Sequence, residues 1–184
     1  MHAGTLYVKH ADPVPFLRAL RRFLEESPVL RSRIRLRLLG FVDALFRDRI
    51  RDLGLADVVT LEGSRPHREA VRALGAADVL LLFLDRAPDL KVVLLAKVGE
   101  SLRAGREILA VMPADALVAK ALVEAGVPPP VAPDDEEALL GRLRDLYARW
   151  ERRELRVPRH LVRFDRARQV EALSGLLERV AHGN

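Results

Sequence analysis

The chain has 184 residues, 49% apolar and 31% charged, a composition typical of one globular domain and not of a disordered segment. It contains no cysteine, which excludes disulfides, cysteine-based zinc sites and thiol nucleophiles. Lysine and arginine outnumber aspartate and glutamate by 31 to 26, but the two signs are interleaved, which argues against a nucleic-acid-binding surface.

Short apolar runs alternate with longer amphipathic segments along the chain. The runs predict strands at residues 4–8, 34–40, 57–61, 78–84 and 107–112, and the segments between them predict helices at 13–26, 41–53, 66–74, 92–103 and 114–124. Asp12 is the expected N-cap of the first helix. The alternation of Arg33, Arg35 and Arg37 with apolar residues predicts a strand with a charged edge.

The last third of the chain predicts two further helices. Asp134 and Asp135 open the first, whose apolar stripe we assign to the core: Leu139, Leu143, Leu146, Tyr147 and Trp150. Residues 151–159 form a charged linker, and a helix over 165–181 has a second stripe: Ala167, Val170, Leu173, Leu177 and Val180. We therefore divide the chain into a domain at 1–150 and a linker with a C-terminal helix at 151–184, which we expect to pack on the domain or on a partner.

Strands that alternate with helices predict βαβ units with right-handed crossovers. The expected fold class is α/β, a Rossmann-like three-layer α/β/α arrangement with a parallel sheet, plus the C-terminal helix. Ligands of such sheets bind beyond the carboxyl ends of the strands. The loops at residues 8–12, 40–42, 63–67, 85–92 and 112–115 are therefore the candidates for a functional site.

Five segments, in this order, resemble a known family. They are AGTLY at residues 3–7, RLRLLG at 35–40, the strand–glycine–helix–strand segment at 58–84, AKVGESLRAGREILAVMP at 96–113 and VAPDDEEALLGRLRDLY at 131–147. The set resembles the C-terminal, donor-binding half of GT-B-type glycosyltransferases, the group that includes retaining hexosyl- and mannosyltransferases (group 1, family 4-like). The resemblance covers roughly residues 3–180. It implies binding of a UDP- or GDP-sugar, whose sugar would be transferred to an acceptor.

The resemblance also implies donor-binding residues: Gly4, Lys9, Gly63, Ser64, Lys97 and Glu100. Glu100 matches a residue that accepts hydrogen bonds from the ribose hydroxyls, and Lys97 lies one turn before it. A helix N-terminus near Val92 would bind the diphosphate through its free amides. The resemblance implies no metal and no other cofactor, and it leaves the catalytic residues unassigned.

The remaining implied positions lie in loops. Gly63 and Ser64 match the place where the base packs, and Gly4 allows the first loop to approach the phosphates. A basic residue in that loop, Lys9 or His10, would neutralise the diphosphate leaving group.

Each of these residues also has a purely structural interpretation. Glu100 alone is an ordinary solvated helix residue, and Lys97 is a candidate for an i,i+3 ion pair with it. Gly63 is at least as well explained as a turn at the end of a strand. His67 is more typical of a helix-cap region than of a catalytic base.

The sequence also departs from the family pattern. Val92 stands where many relatives have a second glutamate, and Glu107 where they have a proline. By comparison with the family, we expect that an N-terminal acceptor half is missing from this chain, since the first strand lacks the family's usual apolar lead-in before Gly4. We therefore expect a donor-binding half that is a poor catalyst alone, completed by an acceptor domain or by a second copy of the chain.

Three other functions stay open. A degenerate Rossmann-like interaction module is the first alternative, a UDP-sugar 2-epimerase-type enzyme the second and a nucleic-acid binder a distant third. No apolar run reaches the roughly 18 residues of a membrane-spanning helix, and the first residues lack the pattern of a secretory signal. We expect a cytoplasmic location, or one peripheral to the inner face of the membrane.

Overall fold

The computed structural model describes residues 1–6, 13–85, 97–158 and 166–181. In these ranges the strands are β1 His2–Ala3, β2 Leu36–Leu39, β3 Val59–Gly63, β4 Val79–Phe83 and β5 Glu107–Val111. The helices in the same ranges are α1 Val14–Glu25, α2 Pro28–Arg33, α3 Ala44–Asp52, α4 His67–Ala76, α5 Lys97–Arg103, α6 Leu117–Glu124, α7 Glu136–Glu151 and α8 Arg166–Ala181.

The strands are parallel and follow the order β3-β2-β1-β4-β5. Strand ladders join β1 to β2, β2 to β3 and β4 to β5. Met1 connects the two groups, because its amino nitrogen donates to Val79 O at 2.7 Å and its carbonyl accepts from Leu81 N at 2.8 Å. Val131 adds a parallel bridge beside β5. This order is that of doubly wound nucleotide-binding sheets, so the predicted α/β, Rossmann-like class is confirmed.

Alternating side chains of the central strands supply two cores, one on each face of the sheet. Leu81 and Phe83 of β4 pack with buried residues of α1, α2, α3 and α7. Leu80 and Leu82 of the same strand pack with buried residues of α4, α5 and α6. Because successive strand residues point to opposite faces, one apolar run covers both layers. The three-layer arrangement predicted from the sequence is therefore present.

Two helices begin with an aspartate cap. The Asp43 carboxylate accepts from Leu45 N at 3.0 Å, and that of Asp135 accepts from Ala138 N at 2.9 Å. Each bond satisfies an amide that has no partner within its own helix. The role predicted for Asp135 is confirmed, whereas Asp12 lies outside the described residues.

The prediction of a first strand at 4–8 is wrong for the residues that the structure describes. β1 is His2–Ala3, and Leu6 makes only an isolated bridge with Val42. The cause is Gly4, whose φ of +138° is incompatible with a continued β ladder.

The strand expected around the arginine alternation is also shorter than predicted. Arg33 ends helix α2, because Pro28 suits its first turn and Leu30 turns into the core. Of the three arginines, only Arg37 lies within β2. Arg33 instead donates to the Glu151 carboxylate on α7 at 3.0 Å.

Helix α7 packs on α1, but its buried face differs from the predicted one. Leu139 and Leu146 are buried as expected, whereas the assignment of Trp150 to the core is wrong, since it is 38% exposed. Arg149 is buried in its place, at 5% exposure. Its partner is the Glu107 carboxylate of β5. The same carboxylate accepts from the backbone amide of Arg156 and so holds the chain that follows α7.

Helix α8 carries its predicted apolar stripe on an exposed surface. Val170, Leu173, Leu177 and Val180 are each more than half exposed. Docking of this stripe on a partner stays a prediction. No helix in the described part of the chain is long and apolar enough to cross a membrane.

Candidate functional site

Three glycines stand side by side where β1, β2 and β3 end. Gly4 N donates to Leu39 O at 2.8 Å, and Gly40 N donates to Gly63 O at 2.8 Å. A Cβ atom on Gly40 would lie 2.3 Å from the carbonyl oxygen of Gly4, and its φ is +120°. Only glycine allows β1 and β2 to approach so closely at this edge. Gly40 was not among the predicted site residues, although its place at the end of the RLRLLG segment was the signal.

A bulge brings the third glycine into line. The ladder pairs Leu38 with Leu61 and then Leu39 with Gly63, so Glu62 is an extra residue on β3. The Glu62 carboxylate is held by the Arg37 guanidinium, with Nη2 and Oε2 at 3.1 Å. This ion pair lowers the pKa of Glu62 and keeps it ionised. The bulge therefore presents the Gly63 carbonyl to Gly40.

Lys97 reaches from α5 into the space that Gly4 leaves open. A Cβ atom on Gly4 would lie 3.1 Å from Lys97 Nζ. The lysine is partly buried, and this burial lowers its pKa to about 8. Within the described part of the chain no carboxylate lies within ion-pair distance of Nζ. The site thus holds a cation that is largely protonated at pH 7 and has no charged partner among the described residues.

His2 borders the same space and was missed by the sequence reasoning. Its side chain is 1% exposed, and Nδ1 lies 3.0 Å from Leu81 O, so Nδ1 carries the proton and donates. Nε2 has no hydrogen-bond partner among the described residues. Burial, followed by the charge of Lys97, lowers the pKa of His2 to about 3. The ring is therefore neutral, with an unused acceptor beside the cation.

Glu100 lies on the same helix as Lys97 but takes a different partner. His67 Nδ1, at the start of α4, is 3.7 Å from Glu100 Oε1, and both side chains are substantially exposed. The i,i+3 ion pair considered between Lys97 and Glu100 is not formed among the described residues. Glu100 is thus at the mouth of the site, where a ligand hydroxyl has access to its carboxylate.

Gly63 and Ser64 border the opposite side of the opening. Both are exposed, and nothing lies within 4 Å of a Cβ atom built on Gly63. This leaves space at the end of β3, as packing of a base would require. Lys9 and Val92 lie outside the described residues, and with them the predicted start of the helix that contains Glu100.

Taken together, the geometry suits a ligand that carries both phosphate and hydroxyl groups. One ammonium, without an ion-pair partner in the described part of the chain, lies beside a glycine turn, and a carboxylate that can accept from hydroxyls lies on the same helix. The described residues contain no group of three metal-binding side chains. A cavity of about 370 Å³ lies at the opposite, amino edge of the sheet and is separate from this site.

Sequence comparisons give no relative. No family model matches the chain. No curated protein matches it either.

Solved structures with the same fold do exist. WaaG, a glycosyltransferase involved in lipopolysaccharide biosynthesis, superposes with a TM-score of 0.64 at 21% identity over 83% of this chain. The pneumococcal O-GlcNAc transferase GtfA, in complex with UDP and GlcNAc, gives 0.66 at 15% identity over 98%. Anabaena Alr3699/HepE, in complex with UDP and glucose, gives 0.53 at 16% identity over 95%.

The identities are too low to transfer a function, so these neighbours establish the fold alone. The chain spans 38% of WaaG, 35% of GtfA and 47% of HepE. The molecule is therefore an α/β domain of the kind found in glycosyltransferases, and it matches less than half of each of these proteins.

Proposed function

We propose that this chain is the donor-binding half of a GT-B-type glycosyltransferase and that it holds a UDP- or GDP-sugar at the carboxyl edge of its sheet. The observation that carries the proposal is the partly buried ammonium of Lys97 beside Gly4, which has no ion-pair partner among the described residues, with Glu100 on the same helix. The fold shared with UDP-complexed structures supports it.

Each group has a defined part in the proposal. Lys97 Nζ binds the diphosphate and stabilises the negative charge that the leaving nucleoside diphosphate gains during transfer. Gly4 permits the close approach, because any side chain there would meet the ammonium. Glu100 accepts hydrogen bonds from the ribose hydroxyls. Gly63 and Ser64 flank the base. The proposal requires no metal ion, since the ammonium supplies the positive charge.

Transfer requires more than these residues. An acceptor must be positioned against the anomeric carbon, and water must be excluded. Both require a second protein surface that closes the site. We therefore expect binding by the isolated chain without acceptor-dependent transfer. Robust acceptor-dependent turnover by the isolated monomer would contradict the half-enzyme proposal.

The departure at Glu107 does not weaken this proposal. Glu107 begins β5 at the amino edge of the sheet, the edge opposite to the candidate site, and its carboxylate is bound by Arg149. The presence of glutamate at position 107, where the family has proline, is thus explained by packing. The alternative of a degenerate interaction module becomes an outcome of the binding test.

The test is calorimetric titration of the chain with UDP, GDP and ADP, repeated on two matched lysine variants. Lys97→Met keeps the length of the side chain and removes its charge, and Lys120→Met makes the same change on the exposed face of α6. We expect UDP or GDP to bind, Lys97→Met to weaken binding by about 10- to 100-fold, and Lys120→Met to have no effect.

Two results would decide against the proposal. Absence of heat and of a thermal shift with all three nucleotides at millimolar concentration would favour the interaction module. Equal affinities of the wild-type chain and Lys97→Met would separate nucleotide binding from this site.

A further inference from the structure

Helix α8 exposes five large apolar residues along its length. Val170, Leu173, Leu176, Leu177 and Val180 are each half exposed or more. Elsewhere in the described part of the chain, no helix or strand exposes more than two large apolar residues. Single exposed apolar residues are normal in soluble proteins, whereas a contiguous patch of this kind marks a contact site.

The spacing of these residues indicates that the contact is with another helix. Val170, Leu173, Leu177 and Val180 follow one another at intervals of three, four and three residues, which are the a and d positions of a heptad. A helix that covers a sheet has a wider apolar face. Helix α1 is such a case, because its buried residues form three adjacent pairs: Phe16 and Leu17, Ala19 and Leu20, Phe23 and Leu24. Helix α8 exposes only one adjacent apolar pair, so its stripe fits the narrow seam of a two-helix contact.

The order of the side chains indicates which helix the partner is. From either end the seam reads valine, leucine, leucine, valine, and its intervals are also the same in both directions. Two α8 helices can therefore pair antiparallel about a two-fold axis at the level of Gly175. Val170 of one copy then faces Val180 of the other, and Leu173 faces Leu177. A two-fold interface between identical chains requires this self-complementarity.

Leu176 favours the antiparallel orientation over the parallel one. It occupies the g position of the heptad, beside the seam and close to the level of the two-fold axis. In an antiparallel pair the g positions of the two helices lie side by side, so the two copies of Leu176 contact each other. In a parallel pair Leu176 would lie beside position 181 of the other copy, where the sequence has only alanine.

The composition of α8 argues against a membrane surface as the partner. Its sequence has three arginines, two glutamates and no aromatic residue. Helices that lie on a membrane surface combine a polar face rich in lysine and arginine with tryptophan or phenylalanine on the apolar face. Helix α8 has nearly balanced charges and no aromatic anchor, so a protein helix is the better match for its seam.

We propose that α8 is a dimerisation helix, which pairs antiparallel with α8 of a second copy of this chain. The pairing closes on itself, so it forms a dimer and not a filament. A helix of 16 residues is about 24 Å long, and a contact of this length is small among specific interfaces. We therefore expect a reversible dimer with a Kd of about 1–100 µM. The contact is independent of nucleotide binding, so it stands or fails separately from the proposed function.

Analytical ultracentrifugation without nucleotide, at chain concentrations from about 1 µM to 0.5 mM, measures this equilibrium. Leu173→Gln with Leu177→Gln removes the centre of the seam and introduces two good helix formers. The matched control, Leu45→Gln with Leu117→Gln, makes the same change at two exposed leucines of α3 and α6. We expect the unchanged chain and the control to dimerise equally, and the seam variant to associate at least about tenfold more weakly.

Cysteine cross-linking tests the orientation of the pair in a chain that has no cysteine of its own. Val170→Cys and Val180→Cys are introduced into separate chains. In each chain alone, an antiparallel pair holds the two cysteines about 15 Å apart, beyond the reach of a disulfide, whereas a mixture brings unlike cysteines together. Val71→Cys, at an exposed valine of α4, measures the background of random collisions. We expect disulfide-linked dimers above this background from the mixture only.

Three results would overturn the inference. A chain that stays monomeric at about 0.5 mM has no such contact, and its seam is left for another partner, such as an acceptor half. Dimers that persist in Leu173→Gln with Leu177→Gln would be formed by a different surface. Disulfides formed by Val170→Cys alone would show a parallel pair.

Discussion

The two edges of the sheet differ in whether their buried polar side chains have partners. At the amino edge, Glu107 and Arg149 are almost fully buried and satisfy each other, with bonds of 2.7 and 3.2 Å. At the carboxyl edge, Lys97 and His2 are also withdrawn from solvent, but among the described residues Lys97 has no ion-pair partner and His2 Nε2 has no hydrogen-bond partner. Buried polar groups are normally paired. The carboxyl edge is therefore the one at which we propose a ligand, and the paired edge contributes to stability.

The amino-edge ion pair extends over three elements. Asp145, one turn before Arg149 on α7, accepts from Arg149 Nη2 at 2.9 Å. The backbone amide of Arg156 donates to the Glu107 carboxylate. β5, α7 and the chain that follows α7 are thereby joined at one point.

Breaking the ion pair between Glu107 and Arg149 should cause the largest loss of stability. Glu107→Ala leaves a buried guanidinium with only Asp145, and we expect a loss of about 3–5 kcal/mol of unfolding free energy in urea denaturation. The control is Glu154→Ala, which removes an exposed carboxylate beside Arg152 and should change stability little. UDP affinity of folded Glu107→Ala should match the wild type. A loss of affinity there would show that the two edges are coupled.

Disrupting the contact between Gly40 and Gly4 at the carboxyl edge should cause the second-largest loss of stability. Gly40→Ala places a methyl group against the Gly4 carbonyl at a φ of +120°, and we expect a loss of roughly 2–4 kcal/mol, also by urea denaturation. Gly75→Ala, in α4 with nothing within 4 Å, should be neutral or stabilising. Wild-type stability of Gly40→Ala would mean that β1 and β2 can separate at the site.

Glu100→Gln tests the mouth of the site. If Glu100 accepts the ribose hydroxyls, the neutral amide should weaken UDP binding by about 1–3 kcal/mol in calorimetry, while the melting temperature stays unchanged. Glu25→Gln, at the far end of α1, is the matched control. A variant that melts early and binds normally would assign Glu100 a structural role with His67.

The pH dependence of UDP binding should show the smallest effect. Lys97 loses its proton as pH rises through its pKa of about 8, so affinity should fall about twofold from pH 7 to 8 and then by up to about tenfold per pH unit. His2, a titratable side chain on which the charge of Lys97 acts, is neutral over this range. Binding by Lys97→Met should not vary between pH 7 and 9. A wild-type profile that is equally flat would exclude the ammonium from diphosphate binding.

The sequence by itself determined the class of the fold, and it predicted the edge of the sheet at which we propose that a ligand binds. The apolar run of β4 predicted a strand covered on both faces, and its residues do alternate between the two cores. Asp135 was assignable as a cap because capping depends on neighbours a few residues away. Lys97 and Glu100 were candidates through a local motif, and the structure places them on one helix at that edge.

Only the tertiary structure decided which polar groups have partners. Arg149 lies within an apolar stripe of α7, and nothing nearby in sequence indicates that Glu107, 42 residues away, would bury it. His2, Gly40 and Lys97 each approach Gly4 because separate elements come together at one sheet edge, and their separation along the chain hides that contact. Local patterns encode elements, whereas burial, and with it the pKa and the availability of a charge, depends on which elements pack together.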